Sequence, residues 1–216
     1  MGERAVELPQ VIPVFPLDGT VLLPGGELPL RIFEPRYLNM IDDAMAADRI
    51  IGMIQTTGGE KSRPNLAQVG CAGKITSFNE ASDGTYLITL TGVCRFALDG
   101  ELTVLTPYRQ VRAAFGPFAV DLSDEDDGGE VFEDSRFARA LKLYLNRQNL
   151  AIDWRSAAVA PLDSLVNSLA MGLPFSPAEK QALLEAPSLV ERTEILTTLL
   201  EIDAQNRDDD SPQSLQ

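Results

Sequence analysis

Histidine is missing from all 216 residues, which excludes Ser-His-Asp and Cys-His nucleophilic sites and every His-ligated zinc site. Cysteine is scarce: Cys71 and Cys94 lie too far apart for a Cys-x-x-Cys site and are too few for a disulfide framework. Each falls in an expected strand and reads as a small buried thiol. Basic residues are outnumbered, 18 against 32 acidic, and the formal charge of -14 repels nucleic-acid phosphates and anionic lipid heads at long range. Neither nucleic acid nor a membrane is an expected partner. No apolar run approaches the ~20 residues that span a bilayer. Met1 to Gln10 has neither the basic start nor the apolar stretch of a secretory signal, so the expected compartment is the cytoplasm.

What is present is an ordinary globular composition, 44% hydrophobic and 23% charged. A chain of this length buries roughly 70% of its unfolded surface, enough for a true core. The best-specified stretch is 11–54, with a strand at Val11 to Leu17, a tight corner at Leu23 to Gly26, a second strand at Leu28 to Phe33, and then a helix. Pro35 suits the first helical position, because its ring presets φ and its missing N–H has no partner to lose there. Tyr37, Met40, Ile41, Ala44 and Met45 recur at helical spacing and mark the buried face.

Three runs in this stretch carry a resemblance: Val14-Phe15-Pro16-Leu17, Leu23-Pro24-Gly25-Gly26, and Leu28-Pro29-Leu30-Arg31-Ile32-Phe33-Glu34-Pro35-Arg36-Tyr37. In this order and spacing they resemble the N-terminal, substrate-binding domain of the ATP-dependent Lon proteases, a domain also found in cereblon. The family motif residues Pro24, Gly25, Phe33, Glu34, Pro35, Arg36 and Tyr37 are taken as mainly structural.

Beyond the helix, Ile50 to Gln55 reads as a buried strand and Thr56 to Asn65 as a surface loop. Its Gly59-Glu60-Lys61-Ser62 imitates a phosphate-binding loop, but Glu60 stands where the glycine before the lysine is required, and the upstream glycine is missing too. From Val69 to Phe115 the pattern is β: Gly70 to Phe78, a turn at Ser82-Asp83-Gly84, Thr85 to Thr91, a strand from Val93 to Leu98 after Gly92, a turn at Asp99-Gly100, then Leu102 to Leu105 and Tyr108 to Phe115. Short strands with frequent glycine turns suggest a small barrel or coiled sheet. The Gly92-Val93-Cys94-Arg95-Phe96 run extends the likeness to the Lon domain, which implies a pseudo-barrel related to the PUA fold.

Residues 121–134 hold eight carboxylates around Gly128-Gly129 and read as a solvated acidic linker, with no spacing that fits a calcium loop. Helical stripes follow: Phe137, Ala140, Leu141, Tyr144 and Leu145, with Asp134 or Ser135 as cap; then Leu162, Leu165, Val166, Leu169 and Ala170, stopping at Gly172 as a left-handed terminator. Ser176-Pro177-Ala178-Glu179 and Ser188-Leu189-Val190-Glu191 are capping boxes that start two more helices. The run from Leu173-Pro174-Phe175 to the leucine-rich last helix resembles the helical half of the same Lon domain, and the likeness covers roughly Gln10 to Ala204. The expected fold is α+β: a PUA-like β pseudo-barrel lobe with one packed helix (1–120), the acidic linker (121–134), a C-terminal helical bundle (135–206) and a disordered tail (207–216).

No catalytic, cofactor-binding or metal-binding residue is assigned. Lys61, Lys142 and Lys180 read as solvated rather than as partners in a Ser-Lys dyad, and Glu27 with Glu34 or Asp42 with Asp43 make poor acid-base pairs. The resemblance implies the recognition module of Lon without the ATPase and protease domains, which in that family follow the last helix; the chain ends at Gln216. The expected function is non-catalytic binding of unfolded or tagged polypeptides. Phe115, Phe118, Phe132 and Trp154, aromatics near the expected hinge, are the candidate contacts. An alternative is an adaptor or regulator of another protein, such as full-length Lon, acting through its acidic surface; RNA binding by analogy with other PUA-like proteins is opposed by the charge. The sequence leaves the oligomeric state open.

Overall fold

The computed structural model describes residues 8–60, 62–123, 135–149 and 160–206. The chain divides into two compact units, Met1–Glu125 with Met171–Glu185 and Asp126–Ala170 with Ala186–Gln216. Most of the expected acidic linker, 124–134, and the expected tail, 207–216, lie outside the described residues.

The first unit is built on six strands: β1 (Val11–Pro16), β2 (Glu27–Ile32), β3 (Ile50–Glu60), β4 (Arg63–Glu80), β5 (Tyr86–Glu101) and β6 (Arg109–Ala114). Their order is β2-β5-β4-β3-β1-β6, and a further β5–β6 pairing joins five of them in a ring with β2 at its edge. The sheet is mixed, because β1 runs parallel to β3 while its pairing with β6 is antiparallel. Inside the ring Ile12, Val14, Ile54, Ala72, Phe96 and Val111 form one core cluster. Helix α1 (Pro35–Ala46) starts at Pro35 and buries Tyr37, Met40, Ile41 and Ala44, as its spacing requires.

The strands run longer than the turn signals suggest. Thr56 to Asn65 is the far end of the β3–β4 hairpin rather than a loop, its ladder continued by the Gly59–Pro64 and Glu60–Arg63 pairs. Neither Gly92 nor Asp99-Gly100 breaks β5, which runs unbroken for 16 residues with Gly100 at φ 107. Leu102 to Leu105 is not a strand. Across this region Glu101 receives both Arg63 and Arg109, whose guanidinium also donates to the Pro64 carbonyl (2.7 Å), and this holds the hairpin end against β5 and β6.

Helix α4 (Pro177–Glu185) belongs to this first unit, not with the other C-terminal helices. Polar keys dock it. Gln55, buried on β3, accepts from Gly19 N–H (2.9 Å) and donates to the Pro177 carbonyl (2.9 Å) and to Gln181 Oε1 (3.0 Å). Gln181 in turn donates to the Val69 carbonyl (3.1 Å). The cap expected at Ser176 is complete: Glu179 N–H donates to Ser176 Oγ and Ser176 N–H to Glu179 Oε2.

In the second unit, α2 (Arg136–Gln148) is capped by Ser135, whose Oγ accepts from Ala138 N–H (3.1 Å). It buries the predicted Phe137, Ala140, Leu141, Tyr144 and Leu145. Arg136 pairs with Glu201 on α5 (Leu189–Asn206), and the buried Arg192 of α5 donates to Asn167 on α3 (Leu162–Gly172) at 3.0 Å. Gly172 ends α3 without a positive φ, so it is not the expected left-handed residue. The second capping box is half-formed: Glu191 N–H donates to Ser188 Oγ (3.2 Å), but the glutamate meets the serine hydroxyl instead of its N–H.

Candidate functional site

The motif stretch places its residues in three roles. Leu23 to Gly26 forms a tight turn closed by Gly26 N–H to the Leu23 carbonyl (3.0 Å), with Pro24 second and Gly25 third at φ 72. That order is what a type II turn demands, since only its third residue needs the left-handed region. The turn sits on β5: Gly25 N–H donates to the Gly92 carbonyl and Gly92 N–H to the Gly26 carbonyl, both at 2.9 Å. A Cβ on Gly92 would stand 2.0 Å from the Leu23 carbonyl oxygen, so the two quoted motifs fit each other through a missing side chain.

Tyr37 is a packing residue, its ring edge-on to Phe15 at 4.4 Å and covered by Arg36 at 4.5 Å. Burial pushes its phenol pKa upward. Glu34 precedes the helix without capping it through its side chain and pairs instead with Arg36 (2.8 Å). Phe33 has no such structural duty, because it is 66% exposed.

Of the aromatic candidates, Phe118 is only 8% exposed and lies under the Arg95 guanidinium, 4.5 Å from its ring centre. Phe115 packs edge-on against Phe96 in the core cluster. Phe118 is thus buried within the first unit, and Phe115 is partly buried against its core. Phe132 and Trp154 lie outside the described residues.

Arg95 itself is 1% exposed. Asp121, assigned from sequence to the solvated linker, sits on a 3-10 helix (Gly116–Leu122) and takes three bonds from Arg95, from N–H, Nε and Nη2, at 2.8 to 2.9 Å. Arg95 Nη1 reaches the Leu184 carbonyl at the end of α4 (3.2 Å). This group is structural. Beside it, burial first and the Asp121 charge second push the Cys94 thiol up to about 12, and burial raises Cys71 further, so neither supplies a thiolate.

The two carboxylate pairs weighed from sequence are engaged or held apart. Asp42 accepts from Tyr86 Oη (3.0 Å) and Asp43 from Tyr108 Oη (2.6 Å), two separate bonds that tie α1 to β5 and to the segment before β6. Glu27 and Glu34 flank opposite ends of β2. Among the described residues no group of three His, Cys, Asp or Glu is placed to hold a metal ion.

Among the described residues, the outward face of β2 and β5 is one surface that leaves apolar side chains exposed. Arg31 stands opposite Leu87 and Pro29 opposite Thr89, while the alternate residues Ile32 and Ile88 point into the core. Leu87 is 43% exposed, and Phe33, two residues past Arg31, continues the outward side. Leu87 was missed because alternation with Ile88 and Leu90 makes it look like any strand residue. Arg31 bridges to Asp83 (2.6 Å) and donates to Thr85 Oγ1 (3.3 Å). The Gly26–Gly92 bond sets the ladder phase, so the backbone groups of Glu27, Pro29 and Arg31 face the open edge. The face presents apolar side chains beside the backbone polar groups of the β2 edge.

A family model described as the ATP-dependent protease La (LON) substrate-binding domain matches residues 11–201. Lon protease 2 of Myxococcus xanthus is 27% identical over 205 residues, covering 90% of this chain and 24% of that protein. The Lon protease of Flavobacterium johnsoniae is 28% identical over 86% of this chain and 23% of its own length. The chain thus spans about a quarter of these relatives. Among solved structures, a Lon N-terminal domain protein from Xanthomonas campestris superposes with a TM-score of 0.64 at 24% identity, covering 87% of this chain and 97% of that one. The N-terminal domain of the Mycobacterium avium complex Lon protease gives 0.63 at 17% identity, with 88% and 98% covered. Both show the same α+β fold.

Proposed function

The chain belongs to the LON substrate-binding domain family, and from that membership we propose that it is a non-catalytic module that captures unfolded or tagged polypeptides on the outward face of β2 and β5. The observation that carries the reading is Phe33: an aromatic within the family motif that is two-thirds exposed is a poor packing residue and a good contact. Leu87 beside it enlarges the contact, and the open edge of β2 provides donors and acceptors for an extended backbone.

In this reading the closed ring of strands is a PUA-like pseudo-barrel, and α2, α3 and α5 are the helical bundle that accompanies it. The module neither hydrolyses ATP nor cleaves peptides, and it works in the cytoplasm in company with a Lon protease. The free thiols of Cys71 and Cys94 support a reducing compartment.

A photo-crosslinking side chain placed at position 33 tests the proposal with a reduced, alkylated polypeptide as bait. Crosslinks that form at position 33 and are competed by unlabelled unfolded chain support it. Equal labelling from a position on the hairpin end, such as Thr57, overturns it.

A further inference from the structure

We infer that Pro29 bars two copies of this chain from joining edge to edge along β2, in a register that is otherwise self-complementary. The inference concerns the same strand as the polypeptide-binding reading but does not rest on it.

β2 pairs with β5 on one side and with no described strand on the other. Gly92 N–H donates to the Gly26 carbonyl, and antiparallel bonds recur at every second residue. Leu28, Leu30 and Ile32 therefore spend their backbone groups on β5, while Glu27, Pro29 and Arg31 turn theirs outward. The side chains of these three residues are exposed as well. Such an edge is a template for another strand, and at high concentration a second copy supplies one.

Two copies of β2 related by a two-fold axis run antiparallel. With the axis at Pro29, Glu27 of one copy lies opposite Arg31 of the other, and Arg31 opposite Glu27, so both flanking pairs join unlike charges. Both groups have room for this. Glu27 makes no ion pair among the described residues; across the sheet it meets Thr91, with Lys74 one strand further. Arg31 uses Nε on Thr85 and Nη2 on Asp83, which leaves Nη1 to meet a second carboxylate.

The central pair undoes this register. Each pair of outward residues can exchange two backbone bonds, but Pro29 facing Pro29 exchanges none. Neither has an N–H, and each ring stands where that N–H would reach toward the facing carbonyl. Sliding the strands by two residues does not escape it: Pro29 then faces Glu27 or Arg31 of the second copy, both remaining pairs contain a proline, and the unlike charges no longer meet. Every antiparallel overlap of two or more outward residues thus includes Pro29. A foreign chain carrying no proline of its own meets this obstacle once and loses one bond.

The test replaces Pro29, which makes no bond to β5, so that the existing ladder is kept. A six-residue edge is a small interface, and association is sought by light scattering at high protein concentration. The wild type is expected to stay a single chain of 23.5 kDa and Pro29→Thr to double its mass. In the variant the amides of Glu27 and Arg31 are expected to exchange about tenfold or more slower than in a dilute sample. Pro29→Thr combined with Glu27→Arg, which sets arginine against arginine, is expected to return to a single chain. A folded Pro29→Thr that stays a single chain overturns the inference. So does association that survives the added Glu27→Arg, and so does a wild type whose Glu27 and Arg31 amides become protected on concentration.

Discussion

Arg95 and Asp121, 26 residues apart, form a buried ion pair in which one carboxylate takes three bonds from one residue, two from its guanidinium and one from its backbone N–H. Burying two charges is unfavourable in itself, and such a pair holds only because every bond is well made. It ties the 3-10 helix to β5, and through the Leu184 carbonyl it also fixes the end of α4.

Removing one partner leaves the other charge buried and unmatched. Arg95→Ala is expected to destabilise the first unit by about 3–5 kcal/mol. Urea unfolding of the variant checks this, and a loss below 1 kcal/mol would show that Asp121 is free to turn to water.

The turn at Leu23 to Gly26 makes a contrast between two glycines. Gly25→Ala puts a side chain into open space at a left-handed φ and is expected to cost about 1–2 kcal/mol. Gly92→Ala drives a Cβ into the Leu23 carbonyl, a backbone atom with no room to yield, and is expected to cost about 3 kcal/mol or more. Thermal unfolding of the pair measures the difference; equal losses contradict the packing described.

Docking of α4 depends on Gln55. Gln55→Leu strands Gly19 N–H, the Pro177 carbonyl and one oxygen of Gln181, at about 1–3 kcal/mol for each group left unpaired. Amides of 178–185 are expected to exchange with solvent at least tenfold faster in this variant, while those of β3 and β4 hold. Uniform acceleration of all of them would mean that α4 is not a separately keyed element.

Tyr108 gives a pH signature. Burial first, then the bond to Asp43 and its charge, push the phenol up to about 12 from an ordinary value near 10. The folded state therefore keeps a proton that the unfolded chain has lost. The stability from this group is intact below pH ~10 and drains away as pH rises toward 12. Tyr108→Phe is expected to flatten that decline in an unfolding series and to remove a late phenolate step from the absorbance titration; an unchanged series contradicts a phenol held protonated by the fold.

How much of this was legible varied with the kind of interaction. The β1–β2–α1 stretch was readable because apolar spacing and Pro35 are local signals, and Tyr37, Met40, Ile41 and Ala44 are buried as expected. The placement of α4 was not, because its docking rests on side-chain amides and carbonyls that leave no periodic trace. Asp121 was hidden by its neighbours: seven more carboxylates follow it by residue 134, and only the distant Arg95 marks it as different. Phe115 and Phe118 were conspicuous because they are aromatic, yet aromatics are as useful to a core as to a ligand. Leu87 carries no composition signal at all; its exposure follows from pairing with Arg31 on an outward face.

The most direct measurement is the affinity of the full chain for a reduced, alkylated polypeptide, compared with that of Phe33→Ser combined with Leu87→Ser. Both side chains are exposed, so the double variant is expected to fold with unchanged stability and to bind at least tenfold more weakly. Undiminished affinity in a folded double variant would contradict the assignment of this face.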